Sequence, residues 1–182
     1  MVAEMPPTSP PPSLFANLLG AAFDRLPAGI RRIHAGSLPV RFSGACDIKR
    51  GSTVLGRLAG TLAGMPAAGS QVPLTIEIGA AVDGETWTRH FGTRQVRSRM
   101  TAEGGLLVER LGLLTIAFRL DANAHRIVWS PQGGRILGVA LPEAFFRGVI
   151  ASESLVAGRY HFDVRAALPV IGLVIHYRGW LE

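Results

Sequence analysis

From Gln71 to Trp180 the chain is a succession of short segments in which apolar and polar residues alternate, each cut from the next by turn residues. They run Val72 to Val82, Glu85 to Phe91, Arg94 to Thr101, Leu106 to Arg110, Leu113 to Leu120, His125 to Ser130, Arg135 to Val139, Val149 to Val156, Arg159 to Ala166 and Ile171 to Trp180. Asp83-Gly84, Gly104-Gly105, Asp121 to Ala124, Gly133-Gly134 and Ala157-Gly158 have the composition of hairpin connections. No helix of crossover length lies between them, so neighbouring strands must pair antiparallel. A meander of about ten strands curls on itself. The expected class is α+β, mainly antiparallel β: a strongly curved sheet or barrel of about ten strands with two or three N-terminal helices packed on it.

The helices come first. Ser13 can cap a helix whose stripe is Leu14, Phe15, Leu18, Leu19, Ala22, Phe23 and Leu26, ended by Pro27. A short turn carrying Ile30 and Ile33 follows. In "VRFSGACDIK" Val40, Phe42, Cys46 and Ile48 share one strand face and Arg41, Ser43, Asp47 and Lys49 the other. In "GSTVLGRLAGTLAGMP" Leu55, Leu58 and Leu62 repeat at helical spacing, and Gly56, Gly60 and Gly64 fall on one face. Each glycine costs about 1 kcal/mol of helix propensity, which close backbone approach to a sheet or helix offsets. Residues 1–12, rich in proline, read as a flexible extended tail, and 13–182 as a single domain.

Charge excludes less than it suggests. The net charge is +6, but Lys49 is the only lysine, and the basic residues are not clustered as a nucleic-acid site clusters them. Arg94, Arg97 and Arg99 in "TRQVRSRM" lack the interleaved aromatics of a single-strand platform and read as a solvated hairpin. No nucleic-acid partner is expected. The single cysteine, Cys46, cannot form an internal disulfide, suits a reducing compartment and reads as a core thiol. The N-terminus lacks the basic start and apolar run of a signal peptide. Leu58 to Ile76 is too interrupted for a spanning helix. A soluble, cytoplasmic protein without a transmembrane segment is the expectation.

The common catalytic signatures are missing. "GSTVLG" lacks the lysine of a P-loop, and there is no G-x-S-x-G elbow, HExxH or cysteine zinc pattern. "GGRILG" imitates part of a dinucleotide fingerprint but joins strands where a helix would have to begin. No cofactor or resident metal is expected.

Two constellations carry chemistry. In "GETWTRHFG", Glu85, Trp87, Arg89 and Phe91 share one strand face, a costly mixture if buried unless each charge finds a partner. Such a face can line a pocket, with Arg89 holding an anionic group and Trp87 giving apolar contact; its alternative is an edge strand whose charges reach solvent. In the terminal hairpin, a turn over Ala167 to Val170 places His161 opposite His176, Phe162 opposite Ile175 and Tyr160 opposite Tyr177. His161, Asp163 and His176 then converge on one side, a set able to bind a divalent metal or do acid/base work. The ordinary outcome for that side is water, and it is the reading preferred here.

The ordered motifs "LPAGIRRIHAG", "DIKRGSTVLGRLAG", "GETWTRHFG", "GLLVERLGLL" and "GRYHFDVRAALPVIGLVIHYRGWL" resemble the bacterial domain-of-unknown-function family 4166, from Leu14 to Leu181. The resemblance implies no activity, substrate or catalytic residue. Similar domains occur alone or beside nucleotide-binding reductase-like modules, which implies a metabolic setting and a functional partnership with a reductase-like protein.

The favoured expectation is a binding barrel for a small apolar or amphipathic ligand, lipid-like and with an acidic or polar head, held near Glu85, Trp87, Arg89, Phe91, Tyr160, Phe162 and Tyr177. The alternative is an enzyme of unknown reaction that uses His161, Asp163 and His176, or the Glu85 and Arg89 pair, in an enclosed pocket. The strand face that points inward decides between them.

Overall fold

The computed structural model describes residues 13–35 and 38–182, so the tail assigned to 1–12 lies outside the described residues. Three short helices come first: α1 (Leu14–Leu19), α2 (Ala21–Asp24) and α3 (Ala28–His34). Next are β1 (Val40–Arg50), α4 (Val54–Leu62), β2 (Gly69–Ala81), β3 (Gly84–Phe91), β4 (Arg94–Glu103), β5 (Leu106–Leu111) and β6 (Leu114–Ala122). The chain continues through β7 (Arg126–Ile136), β8 (Val139–Leu141), α5 (Glu143–Phe146), β9 (Gly148–Val156), β10 (Arg159–Leu168) and β11 (Gly172–Leu181).

The alternation closes into a tube. Strands β1 to β7 pair in sequence, β7 passes the ladder to β9, and β9, β10 and β11 return it to β1. Every pairing is antiparallel, and β8 attaches only to the end of β7, outside the ring. A closed antiparallel barrel leaves no unpaired edge among its ring strands. Period-two patterning sets the two faces: Leu74, Ile76 and Ile78 of β2 and Val96, Ser98 and Met100 of β4 are buried, while Arg97 and Arg99 are exposed.

The barrel's ends differ. Strand β1 starts, and β2 finishes, at the end where α1 to α3 sit. Phe15, Leu26, Ile30, Ile33 and His34 of that helical cap are buried in the core. Ser13 Oγ accepts from the Ala16 N–H at 3.2 Å, as a helix cap should. The expected continuous helix is broken, because Gly20 takes φ 52 and turns the chain into α2. The segment around Ile30 is a helix of its own rather than a turn.

At the opposite end α4 lies against β11 and β1. Its glycines are the contact: a Cβ at Gly56 would run into the Leu173 carbonyl oxygen, and one at Gly60 into the Arg50 guanidinium. Close backbone approach is thus the use of those glycines, and the leucines of the same helix face outward.

Two register expectations are corrected. Gly133-Gly134 is not a hairpin turn: β7 runs through it and turns only at Leu137-Gly138. A bulge between Ala117 and Phe118 leaves Gln132 of β7 without a partner, next to Pro131, which has no N–H for the ladder. In the last hairpin β10 and β11 pair with His161 opposite Trp180, Asp163 opposite Arg178 and Arg165 opposite His176. An even slip keeps each side chain on its face, so alternation alone cannot detect it. No helix among the described residues is long and apolar enough to cross a membrane.

Candidate functional site

The barrel's interior is not filled. A cavity of about 130 Å³ is walled by Ile76, Ile116, Phe118, Phe162, Val164 and Ile175. It runs from a floor under the helical cap, at Trp87, Trp129, Glu153 and Tyr160, to half-buried or exposed residues at the other end, Met65, Leu111, Leu114 and Ile150. Strands β7 and β9 pair only from Arg126 to Trp129, so beyond Ala151 the wall is finished by α5 and β8 rather than by a ladder bond.

The face of β3 singled out in the sequence points inward. Trp87 and Arg89 line the cavity, together with Tyr160, Phe162 and Tyr177. Glu85 and Phe91 are buried on the same face but do not line it. Arg89 is paired, though not with Glu85: its Nη2 donates to Glu109 Oε1 at 3.2 Å and its Nη1 to Ser98 Oγ at 2.8 Å. Its guanidinium also lies 5.3 Å from the centre of the Trp87 ring. Burial pulls the Arg89 pKa down, but the Glu109 carboxylate and the Tyr177 and Tyr160 phenols together outweigh it and the direction is upward. Glu85 instead accepts a 2.9 Å hydrogen bond from Trp87 Nε1.

The floor holds a group that the sequence did not reveal. His34 Nε2 sits 2.6 Å from Glu153 Oε2, with the two side chains 0% and 6% exposed. The His34 ring stacks on Phe15 at 3.8 Å and lies 5.7 Å from the Trp87 ring. Tyr160 adjoins Glu153 on the floor; burial, then that carboxylate, holds its phenol well above the ordinary range. Burial also pushes the Tyr177 phenol up to about 12. Both phenols therefore stay protonated donors.

One donor on the floor is unused. Trp129 lines the cavity, and its Nε1 is buried with no hydrogen-bond partner. Ile127 pairs with Glu153 and Trp129 with Ala151, so Trp129 and Glu153 are diagonal neighbours across β7 and β9. A buried N–H without an acceptor costs about 1–3 kcal/mol. The His34 Nδ1 is likewise unpartnered.

The alternative site does not assemble. Phe162 and Tyr177 face the cavity, so His161, Asp163 and His176 lie on the barrel's outer face. His176 bonds Asp163 at 2.9 Å, while His161 sits opposite Trp180. Among the described residues no three His, Cys, Asp or Glu side chains come together as a metal site. The reason is the register: His161 and His176 are not opposite each other. The Glu85 and Arg89 pair is likewise replaced by Arg89 and Glu109. Cys46 is a core thiol, pushed up to about 12 by burial and by the neighbouring Asp47 carboxylate.

The model of a family described as a domain of unknown function, DUF4166, matches residues 26–181. The chain belongs to the DUF4166 family. No curated protein matches it. The DUF4166 match takes in α3 and all the strands of the barrel, so it includes both His34 and Glu153. It leaves out α1, whose Phe15 covers the cavity floor of this DUF4166 domain.

Proposed function

We propose that this protein binds a small amphipathic molecule inside the barrel, with an apolar body along Ile76, Phe118 and Phe162 and a hydroxyl head on the floor. The observation that carries the reading is the unpartnered Trp129 N–H beside Glu153, in a cavity walled mostly by apolar side chains whose other polar groups include the paired Arg89 and Glu109 and the Tyr160 and Tyr177 phenols. A hydroxyl is both acceptor and donor. It can accept from Trp129 Nε1 and donate to the Glu153 carboxylate, which uses both floor groups at once. An acidic head suits the site less well, because Arg89 is already engaged by Glu109 and Ser98 and the floor presents a second carboxylate.

Size narrows the class. A cavity of about 130 Å³ compares with the roughly 150 Å³ apolar cavity known to take up benzene. A phenol or a medium-chain alcohol fits that space, and a longer chain must leave its end at the rim near Met65 and Leu114. The test is a titration of medium-chain alcohols and of acids of matching length, followed by Trp fluorescence and native mass spectrometry. Saturable binding of the alcohols, weaker binding of the acids, and loss in Trp129→Phe are expected. Tighter binding of the acids, abolished by Arg89→Met, would restore the anionic-head reading; no saturable binding of either class would remove both.

A second reading is catalytic. The Glu153 carboxylate faces the cavity while His34 holds it from behind, the arrangement of a positioned general base. Recovery of added ligand in altered form, with the conversion abolished in Glu153→Gln, would favour it. Recovery unchanged favours binding.

A further inference from the structure

The apolar surface of this protein is concentrated at the end of the barrel where the cavity reaches the rim. Among the described residues, the exposed large apolar side chains are Val54, Leu55, Leu58, Leu62, Val82, Leu113, Leu137, Val139, Ile150, Val156 and Val170. Only Val82 and Val156 belong to the capped end. The others sit on α4, on the β5–β6, β7–β8 and β10–β11 turns, or on strand starts beside them. Exposure reaches 79% at Leu62, 71% at Leu113 and 94% at Val170. Four separate connections therefore hold apolar tips around one rim, although ordinary turns are polar.

The same rim carries exposed arginines. The loops and strand ends of this rim present Arg57, Arg94 and Arg147 to solvent, with Glu143 at 3.9 Å from Arg147 as the acid among them, while the Arg50 guanidinium is taken up under α4 by backbone carbonyls. The capped end is mixed, with Asp24, Asp83, Glu103 and Asp121 beside Arg25, Arg31, Arg32, Arg99, Arg126 and Arg159. The side wall is different again, with Arg41, Arg97 and Arg119 exposed along it. Among the described residues the apolar surface is thus an end ring with a cationic fringe, and no apolar band encircles the barrel.

We propose that this end docks on an anionic lipid bilayer, with α4 and the three turns seated in the interface and the arginines against the headgroups. Apolar side chains flanked by arginine are what an interfacial surface requires: burial at the acyl boundary supplies affinity and the cations select anionic lipid. A second protein copy would meet the same cationic fringe and be repelled by it. The docking stands on the surface alone; it rests on the ligand reading only in that a seated rim lets an amphiphile pass between bilayer and cavity without crossing water.

The test is co-sedimentation of the full chain with phosphatidylcholine vesicles, with and without phosphatidylglycerol, and with no cavity ligand added. Binding to the anionic vesicles, weakened by salt, is expected. Leu58→Glu/Leu62→Glu and Leu113→Glu/Val170→Glu should each lower it roughly tenfold or more, while Val82→Glu/Val156→Glu, at the other end, should leave it unchanged. All these side chains are exposed, and circular dichroism checks that the variants fold. No sedimentation with anionic vesicles, equal sedimentation of the rim variants, or a wild-type dimer that Leu62→Glu converts to monomer would overturn the proposal. Alcohol titration of the same rim variants in the absence of vesicles reports on the cavity separately, so failure of docking and failure of ligand binding are told apart.

Discussion

His34 Nε2 and Glu153 Oε2 meet at 2.6 Å across 119 residues of chain, and both side chains are buried. One comes from the helical cap and the other from the barrel wall, so this contact fastens the cap to the barrel and sets the cavity floor at once.

The pair can be weighed by its removal. His34→Leu leaves Glu153 buried without its 2.6 Å hydrogen-bond partner, and an uncompensated buried charge costs about 3–5 kcal/mol. For a domain of this size that is on the order of 10 °C in Tm. The double variant His34→Leu/Glu153→Leu should regain part of the loss, because no uncompensated group remains. Thermal unfolding of the three variants checks this; single variants as stable as wild type would make the contact incidental.

These residues also show what a sequence can carry. The two faces of β3, the antiparallel pairing and the packed helices were legible because period and turn chemistry are local properties. The glycine face of α4 was legible for the same reason, whereas which face of β3 points inward is decided only by closure of the barrel. His34 and Glu153 were not: each stands in an ordinary context, and only closure of the barrel brings them together. The partner of Arg89 was hidden likewise, because Glu109 lies two strands away while Glu85 shares its face. The terminal hairpin misled for a different reason. Pairing shifted by an even number leaves Tyr160, Phe162 and Val164 inside and His161, Asp163 and Arg165 outside, so the pattern that fixed the faces could not place His161 against any particular partner.

Arg89 and Glu109, with side chains 11% and 19% exposed, should behave as a coupled unit. Arg89→Met strands a carboxylate and Glu109→Leu strands a guanidinium, each at roughly 3–5 kcal/mol. Arg89→Met/Glu109→Leu should lose less than the sum of the two. Urea unfolding across the double-mutant cycle measures the difference; strict additivity would mean that the two side chains do not interact.

Alkaline stability follows from the raised pKa values. Cys46 and Tyr177 are held at about 12 in the fold, from ordinary values of 9.0 and 10.0. The unfolded chain therefore gives up these protons first, and stability must fall as pH rises. The contribution is fully present below about pH 9, declines as Cys46 and then Tyr177 would ionise in the unfolded chain, and is gone once pH passes the folded values. Cys46→Val should move the onset of alkaline unfolding upward while leaving stability at neutral pH within about 1.5 kcal/mol. An unchanged alkaline limb in that variant would show that the thiol does not take part.

The seat of α4 offers the last test, because there helix propensity and packing pull in opposite directions. Alanine in place of Gly56 favours the isolated helix by about 1 kcal/mol. In this protein its Cβ would collide with the Leu173 carbonyl oxygen, which is backbone of β11 and cannot swing aside. Overpacking of that kind costs about 1–3 kcal/mol, so Gly56→Ala should lower Tm despite its better propensity. Leu58→Ala, on the exposed face of the same helix, should change Tm little. Lifting α4 should also loosen Met65, whose carbonyl accepts from Arg50 Nη1 at 3.0 Å and whose side chain lines the cavity near the rim. Hydrogen exchange in α4 and in the segment after it should therefore quicken in Gly56→Ala before the barrel strands respond. A Gly56→Ala variant more stable than wild type, with exchange in α4 unchanged, would mean that α4 is not seated on β11 through its glycines.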